Sequence, residues 1–458
     1  MLRAGAARVC INPADDMFPV PFLMTDFGLE PMQQEEKYDD INCRAIFVDN
    51  GNQKVLFVSY ELGSAPAFPG YLKTISEATG VPEEAIYITA THNHTSPRYR
   101  ANQIKTDEQR VWVERYEKIL YDAGIEVCRK AVETARPAKF AYGEVPSLVN
   151  VNRNLKSFCG FWVEARNEAG YCDPTLSIMK FVDEDGKLIA AFLNHATHAT
   201  CCYMLKDIDH KAKTSGNFTG ITCRFVEKYF GEDTVALWTS GAAGDVNPIF
   251  SHGLQYEYPD GFTTQVQYPD GTGYMMMEYV GRRHGVDCVR GIESLTEYTD
   301  NLPISMISEN VNLPGQTCVD GWPPKGMDFS IVRNGGNGPR DYSKNPYGAE
   351  LVPGLVPTQV PSDKPIVMNY RLMKIGNVAM LFANAEIFSK IGRKMKEASP
   401  MKNTVIVTHL YSEGGRVGYL FDEESADILL PMSYGGVIPG TADKILVEAE
   451  KELFRKIG

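Results

Sequence analysis

The sequence lacks any run of about 18 apolar residues, the length that a membrane-spanning helix requires. It also lacks an excess of positive charge, because 46 Lys and Arg stand against 58 Asp and Glu and give a net charge of −12. This balance argues against binding to nucleic acid or to an anionic membrane surface. The N-terminal segment is too short in its apolar part for a signal peptide, so we expect a cytoplasmic protein.

Cysteine is present, but no CxxC spacing occurs among the ten residues. The chain is also too long for a small secreted scaffold that disulfides hold together. We therefore expect reduced thiols that pack as small apolar side chains. No internal repeat is visible in the sequence, and the apolar content of 43% is ordinary for a globular protein.

Apolar periodicity predicts a mixture of helices and short-turn hairpins. The predicted strands lie at 43–48, 55–60, 85–90, 177–182, 188–193, 234–239, 367–374, 378–382 and 405–409. The predicted helices lie at 71–79, 108–135, 221–229, 275–293 and 442–456. Hairpins disfavour a barrel of alternating strands and helices. We predict a mixed α/β fold, with β-sheets sandwiched between helices in one large domain that spans 1–458.

Two stretches show little periodicity. The Gly- and Pro-rich segment 314–365 is too long for a simple connection, so a lid or a partner-binding loop is predicted there. The Tyr-rich insert 255–279 could cover a pocket or form an oligomer contact.

Half of the 8 histidines fall into two short stretches that follow predicted strands. His92 and His94 form one pair, and His195 and His198 form the other. Loops at strand ends commonly carry the catalytic residues of α/β enzymes. Because alternate side chains of an extended segment share a face, His92 and His94 can reach one ion or one substrate. Imidazole is a frequent zinc ligand and the usual general base at neutral pH.

An ordered set of motifs resembles the neutral ceramidase family. Ala90-Thr-His-Asn-His-Thr-Ser-Pro97 resembles its Thr-His-Thr-His-Ser-Gly-Pro signature, and Gly244-Asp-Val-Asn-Pro248 resembles its Gly-Asp-Val-Ser-Pro-Asn hexapeptide. The remaining matches are the opening segment 2–9, the zinc-histidine strand 192–195, the Gly-Glu-Phe-like segment 384–388 and the Tyr motif 418–420. All of them occur in the order of the family.

The resemblance implies hydrolysis of an amide bond with a single zinc ion (Zn2+). The implied zinc ligands are His92, His195, Glu386 and Tyr419. His94 is implied as an acid or base that faces the substrate, and Arg153 and Tyr434 as groups that contact its carbonyl. Asn247 and His198 are assigned to substrate binding, although His198 could equally support a ligand or have only a structural role.

Two features depart from the family pattern. Asn247 stands where the family hexapeptide has a serine that has been proposed as the nucleophile, so a metal-activated water would have to attack. The sequence also stops soon after the last motif, without the family's C-terminal immunoglobulin-like domain. We therefore predict a zinc-dependent hydrolase of a small amide or N-acyl compound. The alternatives are a metal-dependent esterase or phosphoesterase, and a binding protein that has lost catalysis with the serine.

Overall fold

The computed structural model describes residues 1–24, 32–98, 103–156, 162–251, 254–257, 263–266, 268–319, 358–428, 431–433 and 435–457. The strands in these residues are β1 (Arg3–Cys10), β2 (Leu23–Met24), β3 (Met32–Lys37), β4 (Asn42–Asp49), β5 (Lys54–Tyr60), β6 (Ile86–Ala90), β7 (Arg136–Pro137), β8 (Lys139–Pro146), β9 (Asn150–Lys156), β10 (Trp162–Asn167), β11 (Thr175–Val182), β12 (Leu188–His195), β13 (Ala212–Thr214), β14 (Val235–Ser240), β15 (Val246–Pro248), β16 (Leu254–Glu257), β17 (Thr263–Val266), β18 (Ile304–Leu313), β19 (Gly315–Cys318), β20 (Gln359–Pro361), β21 (Ile366–Ile375), β22 (Val378–Ala383), β23 (Glu386–Ile387), β24 (Asn403–Val407), β25 (Tyr419–Leu420) and β26 (Gly436–Val437). The α-helices are α1 (Tyr71–Thr79), α2 (Asp107–Glu133), α3 (Asn217–Phe230), α4 (Thr272–Ser294), α5 (Ser389–Ala398) and α6 (Ala442–Ile457).

Three large sheets share one topology. The first sheet has the order β6-β5-β4-β1-β7, the second β14-β12-β11-β8, and the third β18-β21-β22-β24. In each sheet three antiparallel strands are followed by a helix, a fourth strand that pairs in parallel, and a second helix. The chain therefore contains a threefold βββαβα repeat that the sequence did not reveal. We call the three copies the first, second and third unit.

The inner faces of the three sheets meet in one apolar core. Phe57 of β5 packs edge-on against Phe192 of β12, with 5.3 Å between the ring centroids. Phe57 also stacks on Phe382 of β22 at 6.5 Å. Since side chains alternate along a strand, Leu56 and Val58 face away from this core and contact the helices of the first unit. Alternation therefore fills both faces of a sheet with buried side chains.

Each sheet carries the two helices of its own unit on its outer face. Apolar residues of α1 and α2 join the core of the first sheet, those of α3 and α4 join the second, and those of α5 and α6 join the third. Helix α2 begins with a capping box, because Thr106 and Gln109 satisfy each other's backbone N–H groups. The predicted mixed α/β fold with sheets between helices is confirmed.

Most predicted elements lie within a few residues of the observed ones. The long segment 314–365 contributes β19 and β20, which form a small sheet with β26, while 320–357 lie outside the described residues. The insert 255–279 is described only in part, as the hairpin of β16 and β17 and the start of α4. The cysteines of the described residues are free thiols. Within the same residues, no helix combines the length and apolarity needed to cross a membrane.

Candidate metal centre

The carboxyl ends of the parallel strands of the three units meet at one point. His92 follows β6 of the first unit, His198 follows β12 of the second, and Glu386 follows β22 of the third. Glu386 Oε2 lies 3.1 Å from His92 Nε2 and 3.3 Å from His198 Nε2. All three side chains are at most 4% exposed. The repeat thus brings together one polar side chain from each unit.

Backbone carbonyl groups fix the tautomers of both histidines. His92 Nδ1 donates a hydrogen bond to the carbonyl of Gly63 at 2.7 Å. His198 Nδ1 donates to the carbonyl of Ala243, also at 2.7 Å. A neutral imidazole carries only one N–H, so when either ring is neutral its Nε2 atom holds a lone pair that faces Glu386. Burial, followed by the nearby charge of Arg153, lowers the pKa of His198 to about 3, which keeps this ring neutral.

Glu386 is ionised, and only one of its two carboxylate oxygens has a hydrogen-bond partner within the described residues. Burial opposes ionisation, but His92 when protonated and the Arg416 guanidinium keep the pKa of the Glu386 carboxyl well below its usual range. Arg416 donates to Oε1 at 2.5 Å, whereas Oε2 is buried and makes no hydrogen bond within the described residues. A buried carboxylate oxygen without a partner is energetically costly unless a cation or a donor reaches it.

The arrangement suits a divalent metal ion. Three atoms, His92 Nε2, His198 Nε2 and Glu386 Oε2, converge here, and each can bind a metal ion in its deprotonated form. Two imidazoles and one carboxylate form a recognised catalytic zinc set, and the carbonyl groups behind the rings orient the ligands as in other zinc sites. His94 adds a third imidazole, since one ring nitrogen of each of His92, His94 and His198 lies within 4.8 Å of the others. This cluster could hold a metal ion.

His94, together with His92, lines a cavity of about 460 Å³. Its Nε2 is 3.2 Å from His92 Nε2, and its Nδ1 is buried without a hydrogen-bond partner. Burial, the neighbouring His92 and the charge of Arg98 lower the pKa of His94 well below its usual value, so that it is neutral and can accept a proton. The apolar part of the cavity wall includes Leu62, Ala65, Pro66, Pro97, Leu120 and Tyr203.

Tyr419 and Arg153 lie on the other side of His198. Tyr419 pairs directly with Glu386 in the short parallel ladder of β23 and β25, which places its hydroxyl 3.4 Å from His198 Nε2. Burial and the charge of Glu386 raise the pKa of Tyr419, so the phenol keeps its proton. Arg153 is buried and donates to the Tyr419 oxygen at 3.1 Å. The Tyr419 proton is therefore directed away from Arg153 and can be donated elsewhere.

Asn247 contacts Arg153 and not the histidine cluster. Its Oδ1 accepts from Arg153 Nη1 at 3.3 Å and from the Thr200 hydroxyl at 3.4 Å. The preceding turn supports the site: the carbonyl of Gly244 accepts from Arg153 at 2.9 Å, and Asp245 accepts from the backbone and the hydroxyl of Ser389. The turn therefore ties the strand of Arg153 to the segment that carries Glu386.

His195 lies outside the cluster, which differs from the ligand set that the resemblance implies. Its Nε2 donates to the carbonyl of Ser147 at 3.0 Å, and its Nδ1 is hydrogen-bonded to the Thr197 hydroxyl at 2.8 Å. Strand alternation explains the difference. Asn194 reaches inward to the carbonyl of Ile406 in the third sheet, so the next residue, His195, points outward toward His284 of α4. His198 occupies the expected place of His195.

Two residues of the site were not predicted from the sequence. His409 stacks on His92 with 4.0 Å between ring centroids and 17° between ring planes. Both residues follow the last strand of their units by two positions and share a left-handed backbone, with φ of 57° for His92 and 58° for His409. The strand-end position of His409 could have indicated it, whereas nothing in the sequence indicated Arg416. Tyr434 lies outside the described residues.

Comparisons with known proteins reveal the fold. No protein-family model and no curated protein matches the sequence. Among solved structures, neutral ceramidase from Pseudomonas aeruginosa matches with a TM-score of 0.68 and 17% identity, over 99% of this chain and 75% of that chain. A second structure, described as ceramidase complexed with C2, matches with a TM-score of 0.67 and 17% identity, over 100% of this chain and 74% of that chain.

These similarities show a shared fold over the whole length of the chain. The protein has the neutral ceramidase fold, and the resemblance found in the sequence motifs is confirmed at that level.

Proposed function

We propose that this protein is a zinc-dependent hydrolase that cleaves the amide bond of a small N-acyl compound. The observation that carries the proposal is the convergence of His92 Nε2, His198 Nε2 and the unpartnered Glu386 Oε2. The ceramidase fold supports amide hydrolysis in particular, because the two similar structures are those of ceramidases.

His92, His198 and Glu386 would hold the metal, with Tyr419 adjacent to it. Zinc would polarise the amide carbonyl and lower the pKa of water, as metal ions do in hydrolases. The charge of Glu386 balances part of the charge of a divalent ion, and His198 is already neutral, so this ring loses no proton on binding.

The surrounding residues supply the proton transfers and the stabilisation of charge. His94 is neutral and accepts a proton from the attacking water, and it then delivers this proton to the leaving amine. The Tyr419 hydroxyl, oriented by Arg153, donates to the carbonyl oxygen as negative charge develops there. The C–N bond breaks, the acyl carbon gains the hydroxyl of water, and the amine gains the proton.

The proposal keeps the metal role of His92 and Glu386 and the proton-transfer role of His94, and it makes Tyr419 a hydrogen-bond donor to the substrate carbonyl instead of a metal ligand. It replaces His195 by His198 as the second histidine ligand. Asn247 acts by positioning Arg153, since its carboxamide is a poor nucleophile. Tyr434 retains its proposed contact with the substrate carbonyl on the strength of its motif alone.

The test measures metal content and hydrolysis together. Protein purified without chelator is expected to contain about one zinc per chain, as a set of three converging protein ligands implies. Chelation should abolish cleavage of short N-acyl amines, and added zinc should restore it. Failure to bind zinc after reloading would contradict the metal site. Loaded protein that cleaves phosphodiesters but no amide would contradict the proposed reaction.

A further inference from the structure

Two arginines line the cavity beside the histidine cluster. Arg98 and Arg416 share this wall with His92, His94 and Gln103. Within the described residues the wall contains no carboxylate. A cavity with two guanidinium groups is unusual in a chain whose net charge is −12. The local charge of the cavity therefore has the opposite sign to that of the whole chain.

Arg98 has a charge that no carboxylate balances within the described part of the chain. Its guanidinium carbon lies 5.8 Å from the centroid of the Tyr203 ring, which holds it against the cavity wall. Arg98 is only partly buried, so a ligand in the cavity can reach it. Arg98 and His94 line the same cavity.

Arg416 has donors in addition to the one that it uses on Glu386. Its bond to Glu386 employs Nη1, and the side chain is 43% exposed although its partner is buried. A guanidinium carries five N–H groups, so several remain for a ligand. Guanidinium groups bind carboxylate and related oxyanions with paired hydrogen bonds.

We propose that the substrate carries an anionic group on its amine fragment and that Arg98 and Arg416 bind this group. This inference rests on the proposed amide hydrolysis and specifies the substrate class: an N-acyl amino acid or an N-acyl aminosulfonate. The anion belongs to the amine fragment because Arg98 lies beside His94, the residue that gives its proton to the leaving amine. The apolar side chains of the wall then face the acyl chain.

The experiment compares three substrates with the same acyl chain on the zinc-loaded enzyme: N-hexanoylglycine, N-hexanoyltaurine and the neutral N-hexanoylglycinamide. The kcat/KM ratio of an anionic substrate to the neutral one is expected to be about tenfold or more, since charge-assisted hydrogen bonds are the stronger ones. The glycine and taurine compounds distinguish a carboxylate from a sulfonate preference, and preference for either one supports the proposal.

Variants of Arg98 test whether this residue causes the preference for the anionic substrates. Because Arg416 remains, Arg98→Gln should lower the ratio without abolishing it, whereas Arg98→Lys should retain more of it. Arg110→Gln removes an exposed arginine of α2 that is absent from the cavity wall, and it should leave the ratio unchanged. A preference that is undiminished in Arg98→Gln would overturn the proposal, because Arg98 would then make no contribution to anion binding.

Failure of the reaction and failure of the inference can be told apart. If the neutral amide is cleaved as well as the acids, amide hydrolysis stands and the anion site is refuted. If no amide is cleaved, the affinities of N-hexanoylglycine and N-hexanoylglycinamide, measured by calorimetry, test the anion site independently of the reaction. Binding of the acid that is about tenfold tighter than that of the amide in the wild type, with a smaller difference in Arg98→Gln, supports the anion site; equal binding in the wild type, or an unchanged difference in Arg98→Gln, refutes it.

Discussion

Replacing His195 or His198 with alanine should have opposite consequences, although the two residues lie on the same loop. The sequence motif assigned the metal to His195, whereas the geometry places His198 beside His92 and Glu386. We predict that His195→Ala lowers stability and keeps the metal. We predict that His198→Ala loses the metal.

The size of the His195 effect follows from its contacts. The side chain is fully buried, and it is hydrogen-bonded to the Ser147 carbonyl and to the Thr197 hydroxyl. Truncation leaves a cavity and an unsatisfied carbonyl, and such changes cost about 2–5 kcal/mol and about 1–3 kcal/mol respectively. We expect the free energy of unfolding to fall by about 3–5 kcal/mol, at the lower end of the summed range because part of the cavity collapses.

The size of the His198 effect follows from metal chemistry. Loss of a residue that merely orients a metal ligand costs about 10- to 100-fold in affinity. Loss of one of three converging ligands should therefore weaken zinc binding by more than about 100-fold. Metal-free His198→Ala should also unfold at a denaturant concentration close to that of the metal-free wild type, because removal of one lone pair that faces Glu386 offsets part of the cavity cost.

The assay combines zinc titration with denaturant unfolding, with and without chelator. Each variant serves as the control for the other, since both change histidine to alanine within one short loop. The reasoning would be refuted if His195→Ala could not be loaded with zinc while His198→Ala bound it like the wild type.

Three further predictions concern the same region. Arg153→Met should keep zinc but lower kcat by about 100-fold or more, because Tyr419 loses the group that orients it; metal analysis beside steady-state kinetics checks this. Asn247→Ala should keep zinc and lower kcat by no more than about tenfold, and a loss as large as that of His198→Ala would contradict the water mechanism. Burial lowers the pKa of His195 to about 4, against about 6.5 when unfolded, so the unfolded chain binds the proton more readily. The contribution of His195 to the free energy of unfolding should be fully present above about pH 6.5 and fall by about 3 kcal/mol toward pH 4. In chelator-treated protein, His195→Ala should therefore reduce the dependence of stability on pH.

Local structure was largely predictable because its signals are local. The helix 71–79 was predicted with the bounds that the structure has, since Gly80 ends it with a left-handed backbone of φ 68°. The hairpin of β4 and β5 was likewise predicted from its alternating apolar residues and its Asn-Gly turn. In contrast, the strand predicted at 405–409 ends at Val407, because His409 adopts a left-handed conformation that no residue preference signals.

The threefold repeat was not predictable in the same way. Its units share an order of strands and helices, but a single match such as His92 and His409 does not make a visible sequence repeat, and hydrogen-bond topology leaves no trace in composition. The choice between His195 and His198 as the second histidine ligand could not be made from the sequence for a related reason. Both residues lie near the end of β12, and only the inward direction of Asn194 decides which one can face the centre. That direction depends on how the three sheets pack, which is a property of the whole molecule.

The repeat has a consequence for how the molecule opens. Each converging group belongs to a different unit, so a zinc ion bound there would cross-link the three units. Moving any one unit away from the others would break a bond to the metal ion. The free energy of metal binding would therefore hold all three units together. Metal release should therefore coincide with the first separation of the units, before any one unit unfolds. Hydrogen exchange in the central Phe57, Phe192 and Phe382 strands would record this as protection that rises in all three sheets together when zinc is added.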